Sequence, residues 1–186
     1  MMYVIEHLEP ELFKWCIIEY AHISKIVGRD NLIFTNIKPE DKEILSKYGE
    51  VREESVSGMN LNNACVLDPN SDKVLSPEDK FDFLVFGGIL GDNPPRNRTT
   101  PELTEKFKTA SKRNMGKEQM TTNTAVYVAK KISEGSRIED IRFAYELEVE
   151  IDEGESVVLP YRFVIDDDKP VLAEGLIEYL IKEKVF

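Results

Sequence analysis

Short apolar runs alternate with amphipathic stretches along most of this chain. Runs bounded by Gly, Pro or polar residues are typical of buried strands, and they predict strands at residues 3–5, 32–34, 64–67 and 83–86, with a weak edge strand at 51–56. Stretches that open on Pro or close on Gly predict helices at residues 10–27, 39–48, 101–109 and 122–132. The last part predicts strands at 144–151 and 159–165 and a closing helix at 173–181.

This alternation predicts an α/β fold with a mostly parallel sheet and helices on both faces. No repeat, low-complexity segment or linker interrupts the pattern, so we expect residues 1–186 to form a single domain. In such sheets ligands bind at the carboxyl ends of the strands. Glu6, Asp68 and the pair of Gly87 with Gly88 each follow a predicted strand, and we expect them to ring one crevice.

The charge balance restricts the class of partner. The formal net charge is −11, whereas a domain that grips nucleic acid by its phosphates normally carries a basic face. Residues 96–113 are locally basic, so RNA stays open, but the balance favours a cationic partner such as a ribosomal protein. No apolar run approaches the length of a membrane span and the start lacks the basic flank of a signal peptide, so we expect a cytoplasmic protein without a membrane partner.

The chain has only two cysteines and two histidines that could serve as soft metal ligands. Cys16 and Cys65 lie in apolar surroundings without metal-ligand spacing, and buried free thiols are the simpler interpretation. His7 and His22 are interpreted as ordinary structural or surface histidines. We therefore expect no metal site.

A glycine-rich segment after the strand at 83–86 carries the strongest functional signal. Gly87, Gly88 and Gly91 match neither the dinucleotide-binding fingerprint nor a P-loop, and the prolines at 94 and 95 prevent a helix from following at once. The glycines alone fit a tight turn out of a core strand equally well. The dense polar chemistry of residues 92–99 favours a loop that approaches a small molecule.

A second loop precedes the helix at 122–132. Thr121 or Thr122 is a natural N-cap, so capping alone explains part of the pattern. The functional interpretation is that backbone groups before this helix hold an adenine or ribose edge, with Met120 packing on a ring. Next to the glycine-rich segment, this second loop becomes a plausible half of the same site.

Glu19 lies on the apolar face of the first long helix. It falls three residues after Cys16 and four before Ile23, both of which belong to that face. A buried carboxylate is costly without a partner, so Glu19 must either form a structural pair or face a cleft. The sequence leaves both alternatives open.

Several segments together resemble the SPOUT-class methyltransferases, and specifically the branch whose eukaryotic member methylates an arginine of a small-subunit ribosomal protein. The similarity covers nearly the whole chain. Its most specific parts are the long glycine segment at residues 86–92, followed by Pro94, Pro95, Arg96 and the pair Arg98 and Thr99, and the Gln-Met-Thr-Thr sequence at 119–122. The segments at 3–7, 66–69 and 160–164 belong to the same resemblance.

The resemblance implies S-adenosylmethionine as methyl donor, bound in a deep C-terminal trefoil knot, and a monomeric enzyme. Carried over to this chain, the cofactor-binding residues would be Leu67, Phe86, Gly87, Gly88, Gly91, Met115, Gly116, Met120 and Thr121. Arg96 and Arg98 are candidates for binding substrate or the cofactor's carboxylate, and capping of the loop is the alternative.

The chemistry of an arginine acceptor indicates a need for carboxylates. A guanidinium is cationic and delocalised, so an acid must grip it, localise electron density on one nitrogen and accept the proton. We assign these catalytic roles to Glu6, Glu19 and Asp92, with Asp92 nearest the sulfonium. The leading prediction is a protein-arginine N-methyltransferase acting on a basic protein. An RNA methyltransferase is the alternative, and a catalytically silent binding module is a third.

Overall fold

A computed structural model of the chain describes residues 1–183. Its main element is a sheet of six parallel strands in the order β3-β2-β1-β5-β4-β6. These strands are β1 (Met2–His7), β2 (Leu32–Thr35), β3 (Glu50–Val51), β4 (Ala64–Leu67), β5 (Phe83–Gly88) and β6 (Ser111–Arg113). The predicted mostly parallel α/β sheet is confirmed.

Both faces of the central strands are buried, as expected for a parallel sheet. The consecutive residues Val4 and Ile5 of β1 are both 0% exposed although their side chains point to opposite faces. β1 lies between β2 and β5, so that Glu6 is in register with Thr35 on one side and with Gly87 on the other. This register brings the carboxyl ends of β1, β4 and β5 to one edge of the sheet.

Helices cover one face and short helical turns cover the other. Helices α1 (Lys14–Val27) and α3 (Thr122–Ser133) pack on the first face, in one apolar cluster with the sheet. On the second face lie the turns Val56–Gly58 and Thr100–Thr104, and Leu103 of the latter packs in a cluster with Val85. The expected coverage of both faces is present, but on the second face it consists of single turns. Among the described residues, no helix has the length and apolar character needed to cross a membrane.

The C-terminal part forms a small antiparallel sheet of its own. Strands β7 (Phe143–Asp152), β8 (Glu155–Asp166) and β9 (Lys169–Pro170) lie in that order. Helix α4 (Leu176–Glu183) covers one face of the long hairpin and buries Leu180 against apolar residues of β7 and β8. The two predicted strands here are confirmed, and the structure extends both of them.

Several predicted bounds were wrong. The helix expected from residue 10 begins at Lys14, and the one expected at 39–48 is a turn at Pro39–Asp41 followed by α2 (Lys42–Leu45). The edge strand expected at 51–56 shrinks to β3, and at Val56 the backbone N–H donates to the side chain of Glu6. Strand β6 was missed because it has no apolar run: it pairs with β4 through backbone groups alone.

Cys16 and Cys65 are buried free thiols, as predicted. Both histidines make structural hydrogen bonds, His7 with the hydroxyl of Tyr20 at 2.8 Å and His22 with Asn123 at 2.9 Å. Burial lowers the pKa of each imidazole from its ordinary value. These thiols and imidazoles therefore contribute to the packing and hydrogen bonding of the sheet and its helices.

Candidate active site

A cleft of about 890 Å³, including the space open to solvent, lies at the carboxyl ends of β4 and β5. Two loops enclose it. The first loop, residues 89–99, follows β5, and the second loop, residues 114–121, leads into α3. The cleft thus lies at the edge of the sheet that the sequence indicated.

Most of the predicted site residues line this cleft. Its lining combines apolar side chains with the buried acid Asp68 and with charged groups from both loops. The predicted residues found there are Leu67, Phe86, Gly87, Gly91, Asp92, Arg96, Arg98, Met115, Gly116 and Met120. The structure therefore brings the two chain segments together in one cleft, as the sequence predicts.

Gly88 and Thr121 do not line the cleft, which corrects their predicted positions. A Cβ on Gly88 would lie 2.2 Å from the hydroxyl oxygen of Tyr20, so this glycine is required by core packing on the side of α1. Thr121 is buried and its hydroxyl pairs with that of Thr124 at 2.8 Å. The next residue, Thr122, reaches the cleft instead.

Gly91 is required by a close approach of β8. An added Cβ would lie 2.2 Å from Cε1 of Tyr161, and the Tyr161 hydroxyl donates to the Gly91 carbonyl oxygen at 3.3 Å. Gly116 has a φ of +98°, and a Cβ there would lie 2.5 Å from a guanidinium nitrogen of Arg162. The consecutive residues Tyr161 and Arg162 thus lie directly against the two loops.

Glu6 lies outside the cleft, which corrects its predicted position there. It is 3% exposed, and its carboxylate accepts hydrogen bonds from the hydroxyls of Thr35 and Ser55 and from the backbone N–H of Val56 at 2.9 Å. These donors come from segments that flank β1. Glu6 therefore ties β1 to β2 and to the turn at Val56–Gly58.

Glu19 also lies outside the cleft and is only 3% exposed. Its carboxylate accepts from the indole N–H of Trp15 at 2.7 Å and from the backbone N–H of Thr122 at 3.0 Å. Burial raises the pKa of Glu19 to about 7, and these hydrogen bonds act in the opposite direction. Glu19 on α1 thus caps the N-terminus of α3, where the helix dipole favours a negative charge.

Asp92 is the predicted catalytic acid that does line the cleft. Its side chain is 27% exposed, and one carboxylate oxygen lies 3.5 Å from Nε of Arg96, whose own side chain is 74% exposed. An exposed pair of this kind contributes little and separates readily. Asp92 and Arg96 are therefore free to contact a ligand.

Arg98 is already occupied by the protein. Its guanidinium makes an ion pair with Glu9 at 2.7 Å and another with Glu102 at 2.7 Å, and it donates to the Leu8 carbonyl oxygen. The two carboxylates raise the pKa of Arg98 above its ordinary value. Arg98 lines the cleft, and this geometry matches the alternative in which it supports the first loop, while its substrate-binding role stays a prediction.

Comparison with known proteins identifies the family. A family model described as protein arginine N-methyltransferase SFM1-like matches residues 2–185. The chain belongs to this family. The SFM1-like chain is also 37% identical over 204 residues to protein arginine N-methyltransferase SFM1 of Saccharomyces cerevisiae, with 98% of this chain and 95% of the yeast protein covered.

Solved structures agree with this assignment. The structure of the yeast arginine methyltransferase SFM1 complexed with SAM is similar at a TM-score of 0.89 and 35% identity, covering 98% of this chain and 90% of that one. The complex of the same yeast enzyme with SAH gives 0.88 at 35% identity, covering 96% and 94%. A dual specific Trm10 from Thermococcus kodakaraensis gives 0.59 at 17% identity, covering 75% and 96%, which shows the fold alone. The predicted resemblance is confirmed.

Two residues of this SFM1-like site were not predicted. Glu9 accepts from the backbone N–H of Leu90 at 2.8 Å as well as from Arg98, so it anchors the first loop. Nothing in its sequence context distinguishes it from other surface acids. Gln119 lies on the second loop and reaches the first, and its place in the Gln-Met-Thr-Thr sequence was the available signal.

Proposed function

We propose that this protein is an S-adenosylmethionine-dependent protein-arginine N-methyltransferase that acts on a basic protein. The observation that carries the proposal is the cleft itself, where the half-buried carboxylate of Asp92 lies beside a largely apolar pocket between two loops. Membership of the SFM1-like family supports the same activity.

The cleft fits the cofactor by shape and polarity. Gly87 and Gly91 let the backbone of β5 and the first loop approach a ligand closely. Leu67, Phe86 and Met120 provide apolar contact for a flat base, and the exposed guanidinium of Arg96 is suited to a carboxylate. When bound, S-adenosylmethionine supplies an electrophilic methyl group carried on a sulfonium.

The protein's own residues then act on the acceptor. Asp92 binds the guanidinium through charge-assisted hydrogen bonds, which localises electron density on the reacting nitrogen and orients it. The same carboxylate accepts the proton that this nitrogen loses. The apolar walls exclude water and thereby strengthen this electrostatic contact. Glu6 and Glu19 contribute by holding β1 and α3 in place.

The charge distribution supports a basic protein as substrate. The β7–β8 hairpin has no lysine or arginine between residues 143 and 161. It carries six exposed acids, which are Glu146, Glu148, Glu150, Asp152, Glu153 and Glu155. Such a surface attracts cationic segments and repels nucleic-acid phosphates. We therefore propose a ribosomal protein as the substrate.

We also propose three further properties, which the resemblance implies. They are a trefoil knot formed around the two loops, a monomeric working state and a cytoplasmic location. Close contact of β8 with both loops, through Tyr161 and Arg162, is consistent with a knotted crossing in this region.

The activity is tested with radiolabelled S-adenosylmethionine offered with ribosomal protein or, separately, with total RNA. Label in protein, recovered as methylarginine after hydrolysis, is the expected result. Label in RNA alone would favour the alternative methyltransferase. Isothermal titration with S-adenosylmethionine completes the test, because absence of binding would favour a silent binding module.

The Gly91→Ala variant tests the placement of the cofactor. We expect the affinity for S-adenosylmethionine to fall by a factor of about ten or more, because the new Cβ displaces either the first loop or the Tyr161 ring. Isothermal titration measures this affinity. Gly58→Ala is the control, since a Cβ at Gly58 meets no atom within 4 Å. Equal affinity in Gly91→Ala and the control would contradict the assignment.

A further inference from the structure

One side chain connects the two loops of the cleft. The side-chain oxygen of Gln119 accepts from the backbone N–H of Asp92 at 3.3 Å, and its NH₂ group donates to the Asp92 carbonyl oxygen at 3.1 Å. The amide thus pairs with both backbone groups of one residue, as a neighbouring strand would. Because donor and acceptor are both matched, only one orientation of the amide satisfies the pair.

Strand β8 also contacts both loops, through consecutive residues, and the first loop has a further anchor in Glu9. Glu9 and Tyr161 hold the first loop at Leu90 and Gly91, whereas Arg162 donates to the Met115 carbonyl oxygen of the second. The backbone N–H of Arg162 also donates to the Gln119 carbonyl oxygen at 2.8 Å. Gln119 is therefore fixed to β8 by its backbone and to the first loop by its side chain.

Gln119 binds the backbone of Asp92, the residue whose position matters most for the proposed chemistry. Within residues 1–183 the carboxylate of Asp92 pairs with Arg96 alone, whose side chain is mostly exposed, so this contact does little to fix its position. The backbone of Asp92 is held across the cleft by Gln119. Displacement of the second loop would carry Asp92 with it or release it.

We propose that Gln119 is a positioning residue, which couples the two loops so that closure around the cofactor and placement of the Asp92 carboxylate occur together. This inference rests on the proposed function for the role of Asp92. The coupling itself is a property of the cleft and can be measured through cofactor affinity alone.

The test uses Gln119→Glu, which keeps the shape of the side chain and makes its donor dependent on pH. Ionised, the introduced carboxylate can accept from the Asp92 N–H but sets a second oxygen against the Asp92 carbonyl oxygen. Protonated, it regains the donor. We expect the affinity for S-adenosylmethionine to be about tenfold below wild type at pH 8 and to recover by about twofold at pH 5.5, where a glutamate with an ordinary pKa of about 4.3 is still mostly ionised. Isothermal titration of both proteins at each pH gives this ratio.

Two further variants complete the experiment. Gln119→Met has similar length and no hydrogen-bonding capacity, so its loss of affinity should be the same at both pH values. Asn62→Asp makes the same amide-to-acid change at an exposed position outside the cleft and should follow wild type. Thermal melting of each variant verifies folding. If Gln119→Glu does not fold, the affinity of Gln119→Met decides.

The outcomes distinguish failure of the Gln119 coupling from failure of the proposed function. Wild-type affinity in Gln119→Glu at pH 8 or in Gln119→Met, or a loss in Gln119→Glu that is no smaller at pH 5.5 than at pH 8, would overturn the coupling. A wild-type protein that binds S-adenosylmethionine but methylates no protein would overturn the proposed function, while the affinity ratios would still decide on Gln119. A wild type without cofactor binding would refute both.

Discussion

Replacement of Asp92 by asparagine is expected to lower kcat for methyl transfer by a factor of about 10² to 10⁴, the usual range for loss of a general base. The amide cannot accept the proton from the reacting nitrogen, and it binds a guanidinium more weakly because its oxygen carries no negative charge. The affinity for S-adenosylmethionine should change much less, because Gln119 binds Asp92 through backbone atoms that the substitution leaves in place. Initial rates with labelled cofactor and isothermal titration separate the two effects.

The matched control for this experiment is Asp140→Asn. Asp140 is exposed and lies outside the cleft, so the same chemical change there should leave kcat unaltered. An Asp92→Asn variant with the kcat of the control would eliminate Asp92 as the proton acceptor. Glu118, which also lines the cleft, would then be the next carboxylate to replace.

The second large effect concerns stability and pH. The pKa of Glu19 is about 7 in the folded protein, against about 4.3 for an exposed glutamate. Between these values the folded protein holds a proton that the unfolded chain has lost. The contribution of Glu19 to the free energy of unfolding of wild type should therefore fall as pH rises through this window, by about 4 kcal/mol in total. Above the window this contribution is constant.

Glu19→Gln removes this titration, so its free energy of unfolding should rise relative to wild type by about 3 kcal/mol between pH 4.5 and pH 8. Urea unfolding at several pH values measures the difference. Glu178→Gln, at an exposed position on α4, controls for the general effect of losing an acid. A pH-independent difference between Glu19→Gln and wild type would show that Glu19 titrates normally in the folded protein.

This pH dependence also bears on the site. The Glu19 carboxylate accepts the backbone N–H of Thr122, and Thr122 lines the cleft at the start of α3. Glu19 thus stabilises the start of α3, directly after the second loop, although it lies outside the cleft. Its position explains how a buried acid on the apolar face of α1 can be structural and still lie next to the functional cleft.

Prediction from sequence succeeded where the signal is local. The apolar runs of β1, β2, β4 and β5 identify these strands because burial on both faces of a parallel sheet requires continuous apolar sequence. The glycine segment and the Gln-Met-Thr-Thr sequence located the cleft because both carry unusual residues in fixed order. Strand β6 was missed for the opposite reason, since edge pairing through backbone groups imposes little on its side chains.

The roles of individual residues depend on contacts between distant parts of the chain. Gly87 lines the cleft while its neighbour Gly88 serves the packing of Tyr20, a distinction set by which side of β5 each Cα faces. Glu6 and Asp92 are both acids near strand ends, yet the donors of Thr35, Ser55 and Val56 surround only Glu6. No local pattern encodes these partners.

The sequence by itself therefore determined the α/β class, the family and the two loops that form the cleft, because periodicity and rare local motifs carry that information. Only the tertiary structure decided which acids face the cleft, that Glu19 caps α3 across 103 residues of sequence, and that Gln119 connects the loops. The physical reason is that a polar side chain's role is set by the hydrogen-bonding groups that folding brings to it.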